Sequence, residues 1–378
     1  HFLCGLPEQV VVLLTSHMNP ALVAALEDAT CRWYEYCVDK MTSEDLFQLF
    51  TELATANSLY ERIHLDDPQQ QEILQEICTL LDGYPLGAEL IFGVARIGER
   101  VFVPEAATRS LEEVRDELKD SHLEGIWAVL DVAYRRLGPP AQLLLPYLSV
   151  FKLPFSKEQI VMLVKPEPPA SARAAGRLEQ EHTLEESHSA AQEGQPPAEM
   201  GVPPELMNNW STARDELVQA SFLQFDGRVY TIHPQVRHFA FSRLPLKERQ
   251  RVLRVVATYY SSLPQPSPDE WFVAFDHLVE AGEPQDLHKA VHLAVHASWA
   301  LAGHGHASEL RAILRRAEVY ALQLGDKTGE GQIQCCLGGI LRQQSEYAEA
   351  IGCLTRSFTL HSEQQESDEA AWALFELA

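Results

Sequence analysis

The chain has 378 residues, of which 46% are hydrophobic and 22% charged, the proportions of a globular protein with room for about two to four cores. Its formal charge of −24 argues against a nucleic-acid surface, which needs clustered Lys and Arg, and no apolar run reaches the ~18 residues of a membrane span. The seven cysteines form no CxxC pair and follow no secretory segment, so a reducing cytoplasmic compartment is expected.

Residues 9–16, QVVVLLTS, are a short Val-rich run ending in hydroxyl groups, as in a buried parallel strand with functional residues at its carboxyl end. Trp33 to Val38 is a second strand candidate. A helix starts near Thr42 to Glu44, with Ser43 as its predicted cap and Leu46, Leu49, Phe50 and Leu53 on its apolar face. Strand, helix, strand, helix within 55 residues predicts the tail of a parallel α/β domain whose beginning lies ahead of His1.

The stretch LLDGYPLGAEL (80–90) joins two helical stripes: Ile73, Leu74, Ile77, Leu80 and Leu81, then Leu86, Leu90, Ile91 and Val94. Gly83 suits the left-handed residue that ends one helix, and Pro85 the first turn of the next, where its missing N–H is no loss. Ser110 and Glu113 read as a capping box for a long helix with Leu111, Val114, Leu118, Leu123, Ile126, Leu130, Ala133 and Leu137 down one face. Gly138-Pro139-Pro140 stops it, and helices near 141–149 and 156–164 follow. Residues 166–203 hold no aromatic and almost no large aliphatic side chain. They are expected to form a disordered insertion, with at most a local helix near 172–192.

A helix over Glu205 to Ala220 carries Leu206, Trp210, Ala213 and Leu217. Phe222–Phe225 and Val229–Ile232 then flank Asp226-Gly227, a strong hairpin signal. Three helices and a hairpin predict a winged-helix unit, with His233 just past its second strand. The last hundred residues repeat: Gly325 to Glu330 is matched forty residues later by Gln365 to Ala370, and LRQQSEYAEAI (341–351) forty earlier by LAGHGHASELR (301–311). This period predicts a solenoid of helix pairs.

The order of these features resembles the NB-ARC subfamily of STAND signalling ATPases over nearly the whole chain. It runs from a strand ending in Thr15-Ser16, through Gly83-Tyr84-Pro85-Leu86 and a winged helix closing on His233, to tetratricopeptide-like (TPR-like) repeats. Each motif is short, so the resemblance rests on order and spacing. It implies that Pro85, with Gly83, sets a rigid apolar wall against the adenine of bound ADP. It implies that His233 holds the β-phosphate, as the His of the family's Met-His-Asp motif does. Pro234 stands where that motif has Asp, so any role of the Asp is lost. Thr15-Ser16-His17 falls where the family has Thr-Ser-Arg, a γ-phosphate sensor, and a mostly neutral imidazole is a poorer anion partner than a guanidinium. On the residues alone, two plainer readings stand: Pro85 as the start of a helix, and His233 as a partner for the wing's backbone.

No GxxxxGK[ST] occurs, and no apolar strand ends in the paired Asp that would hold Mg²⁺. In the family both lie upstream of the position of Phe2, so the chain as it stands should not hydrolyse ATP, whereas a parent carrying them would be a slow ATPase. His288, His292 and His296 stand at i, i+4 and i+8, with His304 and His306 close behind. No HExxH accompanies them and Leu287, Val291 and Val295 mark the buried face, so a solvated stripe or hydrogen bonding between repeats is expected, and no metal. The carboxylates are too scattered to nominate an acid/base pair, and no GxSxG or Cys/His pattern is visible. The predicted third helix of the winged unit, STARDELVQAS (211–221), sets one Arg against Asp215 and Glu216, a poor face for a major groove.

The expected fold is mainly α. It runs as the C-terminal part of an α/β nucleotide-binding domain (1–66), a helical domain with the Gly-x-Pro bend (67–108), a winged-helix domain with its insertion (109–246), a helical connector (247–284) and TPR-like α-solenoid repeats (285–378). The expected function is the regulatory part of an ADP/ATP signalling switch that clamps ADP when closed, with Mg²⁺ in the parent. Its repeats would take protein partners, and it would homo-oligomerise on activation, away from membranes and nucleic acid. The alternatives are a repeat adaptor with decayed nucleotide machinery and a winged-helix transcriptional regulator.

Overall fold

The computed structural model describes residues 39–56, 65–98, 104–123, 125–164, 204–301, 303 and 305–377. The strand candidates at 9–16 and 33–38, Thr15-Ser16-His17 and the insertion at 166–203 lie outside them. Among the described residues there are sixteen helices and one two-stranded sheet, so the chain is mainly α. No helix among them is long and apolar enough to cross a membrane.

Helix α1 (Ser43–Ala56) buries Leu46, Phe50 and Ala54, one face at four-residue spacing, with Leu49 and Leu53 at its edge. Its cap is Thr42 rather than Ser43. Thr42 Oγ1 accepts the Asp45 N–H and the Asp45 carboxylate accepts the Thr42 N–H, each at 3.1 Å, a reciprocal box one residue earlier than the sequence suggested. Helix α2 (Pro68–Leu80) opens on Asp67, whose carboxylate accepts the Gln69 N–H at 3.0 Å. The bend then leads into α3 (Pro85–Gly98). Gly83 takes φ +77° there, and a Cβ on it would lie 2.7 Å from both Lys40 Cβ and Met41 O. Only glycine satisfies the dihedral and the close approach together. The bend is thereby seated on the segment just before α1, where Met41 N–H donates to Gly83 O at 3.3 Å.

Two helices, α4 (Pro104–Lys119) and α5 (Ile126–Arg135), stand where one long helix was expected. Ser110 lies inside α4, which starts at Pro104, so the predicted capping box with Glu113 is not a helix start. The single stripe breaks at the turn between them, where Leu123 is exposed and Gly125 takes φ +58°. Leu111, Val114 and Leu118 are buried before the break, and Ile126, Leu130 and Ala133 after it. Two short stripes in similar phase imitate one long one. In the cluster α1–α5, α3 packs on α1, α4 and α5, and α2 on α1 and α4.

Helices α6 (Pro139–Leu148), α7 (Lys157–Val164) and α8 (Pro204–Gln219) are followed by a hairpin of β1 (Gln224–Phe225) and β2 (Tyr230–Thr231). The strands are shorter than their apolar runs, with Phe225 opposite Tyr230 and Gln224 opposite Thr231. Phe155, just before α7, adds a rung on the other side, exchanging backbone bonds of 3.0 and 2.7 Å with Tyr230. Phe151, Phe155, Tyr230 and Phe225 stack in series, with centroids 4.5, 5.9 and 4.6 Å apart, and hold this small sheet against the helices. The end of α8 meets α3 backbone to backbone, since a Cβ at Gly93 would stand 2.5 Å from the Ala220 carbonyl carbon. Helix α9 (Pro234–Phe241) packs on α5 and α6.

The remaining helices are α10 (Leu246–Ser262), α11 (Pro268–Ala281), α12 (Pro284–Ala300), α13 (Ala307–Leu324), α14 (Lys327–Gln343), α15 (Tyr347–Glu363) and α16 (Ser367–Leu377). Each packs on the next, while α12 also meets α14 and α14 meets α16, an α-solenoid-like stack. The forty-residue period is one helix pair with its turns. The joints after α13, α14 and α15 share one geometry: Gly325, Ser345 and Gln365 take φ +67°, +63° and +62°. At each joint the next N–H reaches back at 2.9 Å, from Asp326 to Ala321 O, Glu346 to Leu341 O and Glu366 to His361 O.

Candidate functional site

Pro85 is the first residue of α3, and it is exposed. Beside it the half-buried Tyr84 leans on the start of α5, where a Cβ at Gly125 would lie 3.5 Å from the Tyr84 ring. Lys40 covers the other side, 5.4 Å from the centre of that ring and 2.5 Å from Asp82. Its hydrogen bond to Asp82 raises the Lys40 pKa above the ordinary lysine value, so a fixed positive charge flanks the bend.

His233 caps α9. Its Nδ1 accepts the Gln235 N–H at 3.3 Å, and Pro234 follows at the first helical position, where no N–H is needed. A ring nitrogen that accepts carries no proton, so neutral His233 holds its proton on Nε2. Partial burial lowers the pKa of the ring below the usual histidine value, which keeps it neutral at pH 7. No acceptor among the described residues engages that Nε2–H. Pro85 therefore has its plainer use, opening a helix, whereas His233 caps the helix that follows it rather than serving the wing's backbone. Neither use consumes the exposed ring of Pro85 or the outer N–H of His233.

The start of α5 touches the bend on one side and α9 on the other. Tyr84 rests on Gly125, and the Trp127 ring sits 5.5 Å from His238 and 6.4 Å from Phe239 of α9. No hydrogen bond, ion pair or ring contact among the described residues joins Gly83, Tyr84 or Pro85 to His233. Among the described residues, clefts lie elsewhere, one at the α4–α5 turn and one between α12 and the α13–α14 joint. Thr15, Ser16 and His17 lie outside the described residues.

Among the repeat histidines, His288 and His292 face each other one turn apart on α12, with Nε2 atoms 3.1 Å apart. Asp326, the cap of α14, brings Oδ2 to 3.0 Å from His288 Nδ1. His288 meets Asp326 across the joint, although not in an aligned hydrogen bond, and this partner was not legible: the i, i+4 spacing marks the two histidines, whereas Asp326 arrives through the solenoid's packing. His296 turns instead to Trp299, at 6.0 Å between ring centres.

No family model matches the chain. No curated protein matches it either. Among solved structures, it is similar to a signal transduction ATPase with numerous domains (STAND) carrying a tetratricopeptide repeat sensor, from Pyrococcus horikoshii, at 14% identity and a TM-score of 0.37. That alignment covers 89% of this chain and 43% of the archaeal one, so the chain spans under half that protein's length. A likeness of this size fixes neither fold nor function.

Proposed function

We propose that the chain is the regulatory part of a nucleotide-dependent signalling switch. The Gly83–Pro85 bend receives the adenine of ADP, His233 donates to its β-phosphate, and the helix-pair repeats engage protein partners. The tautomer of His233 carries this reading. With Nδ1 occupied by the Gln235 N–H, the neutral ring offers Nε2–H outward at a helix N-terminus, the donor a phosphate oxygen needs. The exposed face of Pro85 and the cation of Lys40 beside it suit a purine diphosphate.

We read the domain at 109–246 as a winged helix, supported by the order α6, single rung at Phe155, α7, α8 and hairpin. Its α8 does not favour the transcriptional alternative. Arg214, the one basic residue in that helix, pairs with Asp215 at 2.5 Å and lies over the Trp210 and Tyr230 rings, so it is not free for a phosphate backbone. Neither P-loop nor Mg²⁺-binding carboxylate pair occurs in the sequence, so these residues recognise nucleotide rather than activate it.

Saturation-transfer NMR of ADP and AMP against this chain tests the proposal. Adenine protons should take up saturation from both nucleotides, ADP should outcompete AMP, and Pro85→Ala should weaken the adenine signal. His233→Ser keeps a helix cap but cannot reach a phosphate, so it should abolish the preference for ADP. A chain that transfers no saturation to adenine, or a His233→Ser variant that still prefers ADP, would rule the clamp out.

A further inference from the structure

A second group of chemistry-bearing side chains lies far along the chain from the bend, where α12 meets the joint before α14. His288 and His292 project from one face of α12, and their ligand atoms and those of Asp326 all lie within 4.8 Å of one another. We propose that His288, His292 and Asp326 form a binding site for a divalent transition-metal ion of the zinc class. The two imidazole Nε2 atoms are its direct ligands and the Asp326 carboxylate stands behind His288.

The spacing fits such an ion. Two nitrogens each about 2.05 Å from one metal stand about 3.3 Å apart in tetrahedral geometry and about 2.9 Å apart at a right angle. The observed Nε2···Nε2 separation of 3.1 Å falls between these values. The second-shell pattern fits as well. Asp326 Oδ2 lies 3.0 Å from His288 Nδ1, out of line for a hydrogen bond but close enough that its negative charge favours the tautomer with its proton on Nδ1, which leaves Nε2 with the lone pair a metal needs.

The same carboxylate gives a further sign. Its Oδ1 accepts the Gly329 N–H at 2.8 Å, but its Oδ2 is shielded from solvent and accepts no aligned hydrogen bond. A carboxylate oxygen left in that state is stabilised by positive charge nearby. The site opens to a cleft lined by Pro284, Gln285, His288, Lys289, Leu324 and Asp326, which gives an ion access. Lys289 on that rim opposes a cation and limits its affinity. Imidazole with one carboxylate selects zinc, nickel or cobalt over magnesium or calcium. Bound there, an ion would tie α12 to the cap of α14.

Calorimetric titration of the EDTA-stripped chain with zinc chloride at pH 7.5 is the test, run beside magnesium and calcium chloride. One zinc ion per chain should bind, and magnesium and calcium should not. The double variant His288→Ala/His292→Ala should lose that ion while keeping its circular dichroism spectrum. Asp326→Asn keeps an acceptor for the Gly329 N–H, and it should weaken zinc binding by about 10- to 100-fold. Failure of the parent chain to bind zinc, or undiminished binding by the double variant, overturns the site. An unchanged affinity in Asp326→Asn removes Asp326 from it.

Discussion

His277 is buried on α11, and neither ring nitrogen has a hydrogen-bond partner of good geometry. Burial above all, then the positive charges of Lys152 and Arg237, push its pKa down to about 3, against a weaker opposing pull from the Val150 backbone. Above the ordinary histidine value of about 6.5 the ring is neutral whether the chain is folded or not, so protonation adds no pH-dependent cost. Below that value the unfolded chain takes a proton that the native one refuses. Stability is therefore intact above about pH 6.5 and falls as the pH drops toward 3, by about 1.4 kcal/mol per unit. His277→Leu removes the proton site without breaking a hydrogen bond. Urea denaturation at pH 7.5 and pH 5 should show the variant gaining about 2 kcal/mol on the parent between the two conditions. Equal pH dependence in parent and variant would mean the ring does titrate in the native state. Nothing in the sequence marked this residue, since a histidine at an apolar helical position looks the same whether it finds a partner or not.

The joints of the solenoid show what can be read at the level of elements. Gly83 and Gly325 announce their left-handed turns, because glycine alone adopts them without strain. Ser345 and Gln365 sit in the same conformation without any such marker. There the geometry is imposed by the backward bonds from Glu346 to Leu341 O and Glu366 to His361 O, and the forty-residue echo of Gly325 at Gln365 was the legible clue. Ser345→Gly and Gln365→Gly should therefore each stabilise the repeats by about 1 kcal/mol, read as a shift in the thermal midpoint. A loss of stability would show that those side chains earn their place through contacts. Periodicity served less well where it had to locate a pause. It found the apolar faces of α4 and α5, yet ran them into one helix across Asp120 and Gly125, because a stripe reports burial and not continuity. The rung at Phe155 was equally illegible: a single residue pairing over 70 positions away leaves no alternating pattern. Of the candidate site, the turn chemistry of the bend was legible. The capping role that fixes the tautomer of His233 matches neither sequence reading, phosphate donor or partner for the wing's backbone, because a cap depends on backbone geometry.

At the scale of the molecule, α10 and α11 carry the chain from the α9 end into the repeats, and any switch must act through them. Arg254 on α10 reaches across to the start of α12, with Nε 2.9 and 2.8 Å from the two oxygens of Asp286 and a terminal nitrogen 2.8 Å from Glu283. The Asp286 side chain is only 3% exposed, so its charge depends on this partner and on its place in the first turn of α12, where the helix dipole favours an anion. Removing the arginine leaves a buried carboxylate without compensation, which costs about 3–5 kcal/mol, more than the pair itself contributes over an apolar substitute. Arg254→Leu should lower the denaturation midpoint accordingly, whereas Arg254→Leu/Asp286→Leu should recover most of the loss, short only of the dipole term. If single and double variants are equally destabilised, the arginine acts by packing rather than charge. If neither changes the midpoint, the junction is not held by this pair, and the repeats are coupled to the rest of the chain through the other contacts of α10 and α11, among them Tyr147–Glu248, Lys152–Glu280 and Arg316–Asp276.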